Sequence, residues 1–412
     1  MVPKGWASLQ LGKIMSFKNG LNFTKTDNGD SIKIVGVGDF KDFTELSSTE
    51  HLELISVAGR IRDEELLNNG DLLFVRSNGN KDLIGRCMFF PEVRERLSFS
   101  GFTIRGRVIN EAAFPAYMAI VARSSQFQTQ ISKASGGTNI SNLSQQILND
   151  INLLLPPLIE QKKIAQILST WDKAISVTEK LLTNSQQQKK ALMQQLLSGK
   201  KRLLDENGVM FSGEWEVVRL KQLIHEEKKR NRDNHIQRVL SVTNHSGFVL
   251  PEEQFSKRVA SEDVSTYKIV KKNQYGYNPS RLNVGSFARL DNYDEGVLSP
   301  MYVVFSINHE RLNSDYFLNW MSSNEAKQRI AGSTQGSVRD SVGFDALCSF
   351  SFSLPTLMEQ QKIAAVLSAA DAEMSMLEKK LACLKEEKKA LMQQLLTGKR
   401  RVNVESEETV SA

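Results

Sequence analysis

Cysteine is scarce in this chain, and its absence is the first constraint. Only Cys87, Cys348 and Cys383 occur in 412 residues, too far apart for a CxxC clip and too few for a disulfide scaffold, so reduced, packed thiols are expected. Long apolar runs are also lacking. The longest, near 151–159, is broken by Asn152 and two prolines and falls far short of the roughly 20 residues a membrane span needs. The opening MVPKGWASLQ carries no apolar stretch of a signal peptide, which makes a cytoplasmic protein the expectation. Charge of neither sign dominates: 53 Lys and Arg stand against 47 Asp and Glu, for a net +6. That excess sits in one place, since residues 158–202 carry +6 while 1–157, 203–356 and 357–412 carry +1, −1 and 0. An anionic partner is hinted at, but charge alone does not establish one.

Catalytic constellations are missing as well. There is no GxxxxGK[ST] phosphate loop. Gly36-Val37-Gly38 lacks a third glycine and reads as a turn at a strand end. His51, His225, His235, His245 and His309 form no HExxH and no Cys/His pairing, so zinc is not expected and exposed or half-buried roles are. Asn278-Pro279-Ser280-Arg281 begins like the Asn-Pro-Pro-aromatic tetrapeptide of adenine methyltransferases but lacks its second proline and its ring, and is read as a polar turn. Glu226-Glu227-Lys228 contains ExK without a preceding Pro-Asp, and is read as a solvated helix end rather than a nuclease centre.

What is present is a repeat. Residues 155–202 and 354–401 align at a constant offset of 199 without a gap, with 27 of 48 positions identical. Neither copy contains Gly or Pro for 41 residues, from Leu158 to Ser198 and from Leu357 to Thr397, which predicts two helices of about 60 Å. Thr356 with Glu359 has capping-box spacing, Pro157 suits a helix start, and Gly199 and Gly398 supply left-handed stops, each followed by three basic residues. A 4-3 spacing selects Ile164, Leu168, Trp171, Ile175, Leu182, Leu192 and Leu196 in the first copy. In the second it selects Ile363, Leu367, Met374, Leu377, Leu381, Leu384, Leu391 and Leu395. So narrow a seam predicts a coiled coil rather than a helix lying on a globular core.

A domain-sized segment of mixed pattern precedes each helix. Both begin at a Trp element, around Trp6 and Trp215, and both end in a small-residue polar loop before a short strand. In between they hardly resemble each other in sequence. The expected fold class is α+β: two mixed α/β domains joined and separated by two long coiled-coil helices of an internal repeat. The expected divisions are 1–154, 155–204, 205–353, 354–402 and a short, acidic, flexible tail over 403–412.

Polar loops provide the candidate chemistry. Arg76, Ser77, Asn78, Asn80 and Lys81 follow the strand-like GDLLFV, and Asn278, Ser280, Arg281 and Asn283 hold the comparable place in the second domain. Arg pairs bidentately with guanine and Asn with adenine, so such loops can discriminate bases in the major groove. Thr138 and Asn139, with Gln335, Ser337 and Arg339, add amides, hydroxyls and a guanidinium for phosphates or bases.

The repeated E-Q-x-K-I-A-x-[IV]-L-S and K-K-A-L-M-Q-Q-L-L-[ST]-G-K, at 160–169, 189–200, 359–368 and 388–399, resemble the DNA-specificity subunits of type I restriction-modification enzymes. The resemblance implies that each variable domain is a target recognition domain for one half of an asymmetric bipartite site on double-stranded DNA. It implies that the two long helices pair antiparallel about a pseudo-twofold and set the spacer, that two methyltransferase subunits dock on them, and that restriction helicase-nuclease subunits join. It implies a chain with no active site or cofactor of its own, with S-adenosylmethionine, ATP and Mg used by the partner subunits. A coiled-coil adaptor that binds proteins and no DNA is the competing expectation.

Overall fold

The computed structural model describes residues 2–22, 25–40, 44–46, 48–134, 142–254, 263–334 and 341–404. The chain divides into two compact units, one of residues 1–178 with 380–412, the other of residues 179–379. The two long helices, Leu158–Leu196 and Leu357–Leu396, are each shared between the units.

Each unit is built on the same kind of sheet. In the first, four antiparallel strands run in the order Met15–Asn19, Thr103–Val108, Asp71–Val75, Cys87–Phe90. In the second, the order is Ile224–Glu226, Val303–Ile307, Tyr275–Tyr277, Phe287–Arg289, also antiparallel. Strand number and order coincide although the sequences hardly do. The reason is burial on both faces: Asp71–Val75 and Tyr275–Tyr277 are buried throughout, so each central strand needs apolar bulk rather than any one sequence. The expected strand at GDLLFV forms as Asp71–Val75, as do those before each long helix, Asn152–Leu155 and Ser351–Leu354. Short helices pack beside each sheet, Pro115–Ala122 with Ser125–Ala134 in the first unit and Ser314–Met321 with Asn324–Thr334 in the second.

Each Trp element pairs with the strand entering a helix. Ala7–Gln10 runs antiparallel to Asn152–Leu155, and Glu216–Arg219 to Ser351–Leu354. The main cores then continue into the helices. Leu168 and Leu395 join the first unit's core with Tyr117 and Phe74, while Leu367 and Leu196 join the second's with Trp320 and Phe352.

Within the first unit the opening stretch of the first long helix lies against the closing stretch of the second; within the second unit the roles reverse. The helices are therefore antiparallel. Every position of the expected seam is buried or half-buried, whereas Val177, Leu181 and Met376, off the seam, are exposed. Polar residues on it are provided for. The hydroxyl of Thr178 donates to the Ala174 carbonyl at 2.8 Å, that of Ser185 to Glu373 at 3.5 Å, and Lys189 and Lys388 pair with Asp371 and Asp172.

Three local expectations need correction. Glu359 takes half of a capping box: its backbone N–H donates to the Thr356 hydroxyl at 3.4 Å, but its carboxylate is drawn to Trp215 and Arg202. Glu226 ends a strand, not a helix, because Ile224–Glu226 completes the sheet beside Val303–Ile307. Cys87 and Cys348 are packed, but Cys383 is exposed on the outer side of the second long helix. Among the described residues no helix is long and apolar enough to cross a membrane. Asn403 and Val404 are described; the rest of the expected acidic tail, 405–412, lies outside the described residues.

Candidate nucleic-acid interface

The Glu-Gln pair that opens each helical repeat is a structural clamp. Glu160 receives the Trp6 indole N–H at 3.3 Å and the Arg401 guanidinium, whose Nη1 also reaches the Lys4 carbonyl at 2.9 Å. Glu359 receives Trp215 at 3.0 Å and Arg202 at 2.6 and 2.8 Å, and Arg202 reaches the Gly213 carbonyl at 2.9 Å. Each guanidinium also stands over the indole ring, at 5.7 and 5.6 Å. The basic residues after each helix stop thus serve the start of the other helix. Gln161 and Gln360 are fully buried and bond the carbonyls of Pro156 and Ala112, and of Pro355 and Arg311, at 2.7 to 2.9 Å. Their side-chain carbonyls accept from Phe114 and Asn313 at 2.8 Å, at the starts of the helices Pro115–Ala122 and Ser314–Met321. The segment before each long helix is therefore hydrogen-bonded to that helix's first turn.

The polar loops lie at the exit of each central strand. In the first unit the Arg76 carbonyl accepts from Leu143 N–H at 2.8 Å, and in the second the Pro279 carbonyl accepts from Val342 N–H at 3.0 Å. In both, the strand-exit loop adjoins the chain leaving the second expected loop. Thr138, Asn139, Gln335, Ser337 and Arg339 themselves lie outside the described residues.

Not every expected reader is equally presented. Ser77 and Asn78 are half-buried and line a cleft of about 760 Å³ at the strand ends, with Asn22, Gly101 and Phe102. Arg76 is half-buried, with one guanidinium N–H directed to the Gly101 carbonyl at 3.4 Å. The side-chain carbonyls of Asn78 and Asn80 accept from Asn80 N–H (2.7 Å) and Asp82 N–H (3.1 Å), so both hold the turn. Lys81 is exposed. In the second unit Asn278 caps the short turn Pro279–Val284 through Ser280 N–H at 3.0 Å, leaving Ser280, Arg281 and Asn283 exposed. Tyr277, just before them, is fully buried against Phe305 and offers no ring for stacking.

Sequence reasoning missed two apolar residues beside these loops. Phe102 and Met301 are 64% and 63% exposed, each on the turn entering the strand that flanks the central one. No periodicity marks an isolated residue on a turn. Also missed were two grooves, one per unit, each between the helix pair and a helical corner. One, about 540 Å³, is lined by Lys189, Lys190, Met193, Leu197, Ser323 and Met374. The other, about 520 Å³, is lined by Lys388, Lys389, Met392, Leu396, Ser124 and Ile175. Burial pushes the Cys87 thiol up to about 12, so it stays protonated. Among the described residues no cluster of His, Cys, Asp and Glu could hold a metal.

Comparison with known proteins agrees with this internal duplication. The family model of the type I restriction modification DNA specificity domain matches residues 3–184 and again 212–386. The putative type I restriction enzyme MjaX specificity subunit of Methanocaldococcus jannaschii is 26% identical over 432 residues, covering 97% of this chain and 95% of that protein. The StySPI specificity subunit of Salmonella potsdam is 27% identical over 199 residues, 47% of this chain, and that match spans only 42% of the StySPI subunit's length. Among solved structures, the S subunit of a type I restriction-modification system from M. genitalium has the same fold. It has a TM-score of 0.55 at 11% identity and covers 95% of this chain and 96% of that one. With the family's domain matched twice, once in each Trp-to-helix half, the chain belongs to the type I restriction modification DNA specificity family.

Proposed function

We propose that each unit reads one half of a bipartite double-stranded DNA site, that the paired helices set the distance between the halves, and that the chain recognises and assembles without catalysing. The divisions that carry these roles are 1–154 and 205–353 for reading, and 155–204 with 354–402 for spacing. The observation behind the proposal is that the loops rich in Arg, Asn and Ser leave the same strand of the same sheet in both units. Adenine methylation, with S-adenosylmethionine and base flipping, belongs in this reading to two methyltransferase subunits, and ATP-driven cleavage with Mg to restriction subunits. The two lysine-rimmed apolar grooves, one per unit, suit two copies of one docking partner. Membership of the specificity family favours this reading over an adaptor that binds proteins and no DNA.

Arg281 and Arg76 provide the test. Methylome sequencing of cells carrying the chain and its partners should return a motif of two unlike parts. Arg281→Ala should then relax one part and Arg76→Ala the other, each by the 1–3 kcal/mol of a lost bidentate contact. Equal weakening on all sequences would make both mere phosphate contacts, and an unbroken or palindromic motif would sink the split-site reading.

A further inference from the structure

Phe102 is a large aromatic left in solvent on a turn that two chain segments hold rigidly. Gly101 N–H donates to the Leu21 carbonyl at 2.7 Å and Leu21 N–H to the Phe99 carbonyl at 2.8 Å. The Phe102 carbonyl itself accepts from the N–H groups of Arg76 and Ser77, at 2.8 and 3.3 Å. Gly20 makes this crossing possible, since a Cβ on it would stand 2.1 Å from the Ser100 backbone carbonyl. So close an approach fixes the ring's anchor while the ring itself packs into no core. Beside it lies the cleft of about 760 Å³ lined by Asn22, Ser77 and Asn78, in which the buried Ser100 hydroxyl has no hydrogen-bond partner.

We propose that Phe102 is a base-reading residue of the first unit, set against the 5-methyl group of a thymine while Asn22 and Asn78 face the polar edges beside it. The inference rests on the first unit reading DNA. Apolar contact with that methyl is one of the few ways a protein distinguishes T·A from the other pairs without a hydrogen bond. The anchored turn lets it form at little cost in conformational entropy. The amide and hydroxyl neighbours suit groove reading better than insertion between stacked bases, where a ring needs apolar contact on both faces. The second unit sets Met301 at the corresponding turn, with the Asn278 amide 3.9 Å from its sulfur. The two units thus offer unlike apolar contacts to unlike half-sites.

The experiment uses the full chain assembled with its methyltransferase subunits, on duplexes of its methylated site in which each thymine in turn is replaced by deoxyuridine. That replacement removes only the methyl. One position, in one half-site, should lose about fourfold in affinity, the worth of one buried methyl. Phe102→Ala should lose as much on the thymine duplex and nothing further on the deoxyuridine duplex. Phe102→Leu should keep most of the preference, and Met301→Ala should leave that position untouched. The proposal is overturned if no thymine methyl matters, if Phe102→Ala weakens all duplexes alike, or if that variant stays sensitive to deoxyuridine. Failure of the wild-type complex to prefer its site over random duplex would remove the underlying reading of the unit, and this proposal with it.

Discussion

The two units share what touches the helices and differ in what does not. Trp6 and Trp215, Glu160 and Glu359, Arg401 and Arg202 make the same contacts in both, and the four-stranded sheets have the same order. The second layers diverge. The first unit adds Leu54–Val57, Lys25–Val35 and Leu97–Phe99, with one parallel pair; the second adds two separate antiparallel pairs, Ser241–Thr243 with Gly247–Val249 and Lys268–Lys271 with Glu295–Leu298. Packing against helices that repeat the same contact residues leaves little freedom at the base of each unit, since cores transmit any change of volume. The strand-exit loops differ: Arg76, Ser77, Asn78 and Phe102 in the first unit correspond to Asn278, Arg281, Asn283 and Met301 in the second. Like mounts with unlike loops are what the proposed reading of two unlike half-sites requires.

The sharpest way to break the likeness of the mounts is to remove the clamp carboxylates. Glu359→Ala leaves Arg202, whose side chain is 20% exposed, without its partner, and should cost about 3 kcal/mol or more in urea unfolding followed by Trp fluorescence. Glu160→Ala should cost distinctly less, because the Arg401 side chain is 42% exposed and regains water. Equal losses would mean that the clamps do not differ in burial as described.

The grooves test whether the units serve one kind of partner. Met193→Lys and Met392→Lys each put a charge on one apolar wall. Each should reduce the methyltransferase copies bound per chain from two to one, measured by mass spectrometry of the intact complex. Loss of both copies from either variant would show a single shared docking site instead.

Smaller effects concern the seam. Lys189→Met and Lys388→Met remove equivalent pairs to Asp371 and Asp172, whose carboxylates are 49% and 46% exposed. Each should change stability by less than about 1 kcal/mol in the same unfolding assay, and by similar amounts. The smallest perturbation is chemical. A thiol reagent on the folded chain should modify Cys383 and spare Cys87 and Cys348. Cys383 should react slowly and faster with rising pH, because its hydrogen bond to Glu387 at 3.3 Å raises its pKa, while burial raises the other two. Labelling of Cys87 at the rate of Cys383 would contradict the packing of the first unit's sheet.

Much of the scaffold was legible because its signals are local or periodic. A helix of 39 or 40 residues writes its seam every three or four positions, and Gly199 and Gly398 mark its ends with φ of 70° and 67°. The candidate site was legible only as composition. Arg76 and Arg281 looked alike in sequence, yet one is half-buried against the Gly101 carbonyl and the other lies open to solvent. Glu359 looked like a cap and is the centre of a clamp, because its partners Trp215 and Arg202 come from 144 and 157 residues away.

By itself the sequence determined the duplication, the two long helices, the residues of their seam and the family. All of these follow from repeats and spacings that act between near neighbours or recur at a fixed offset. Tertiary structure alone decided that two dissimilar segments carry the same sheet order, that Glu160 and Glu359 lock unit to helix, and that Phe102 and Met301 stand exposed beside the polar loops. Those outcomes depend on which distant residues meet, and burial accepts many sequences that supply the same apolar bulk.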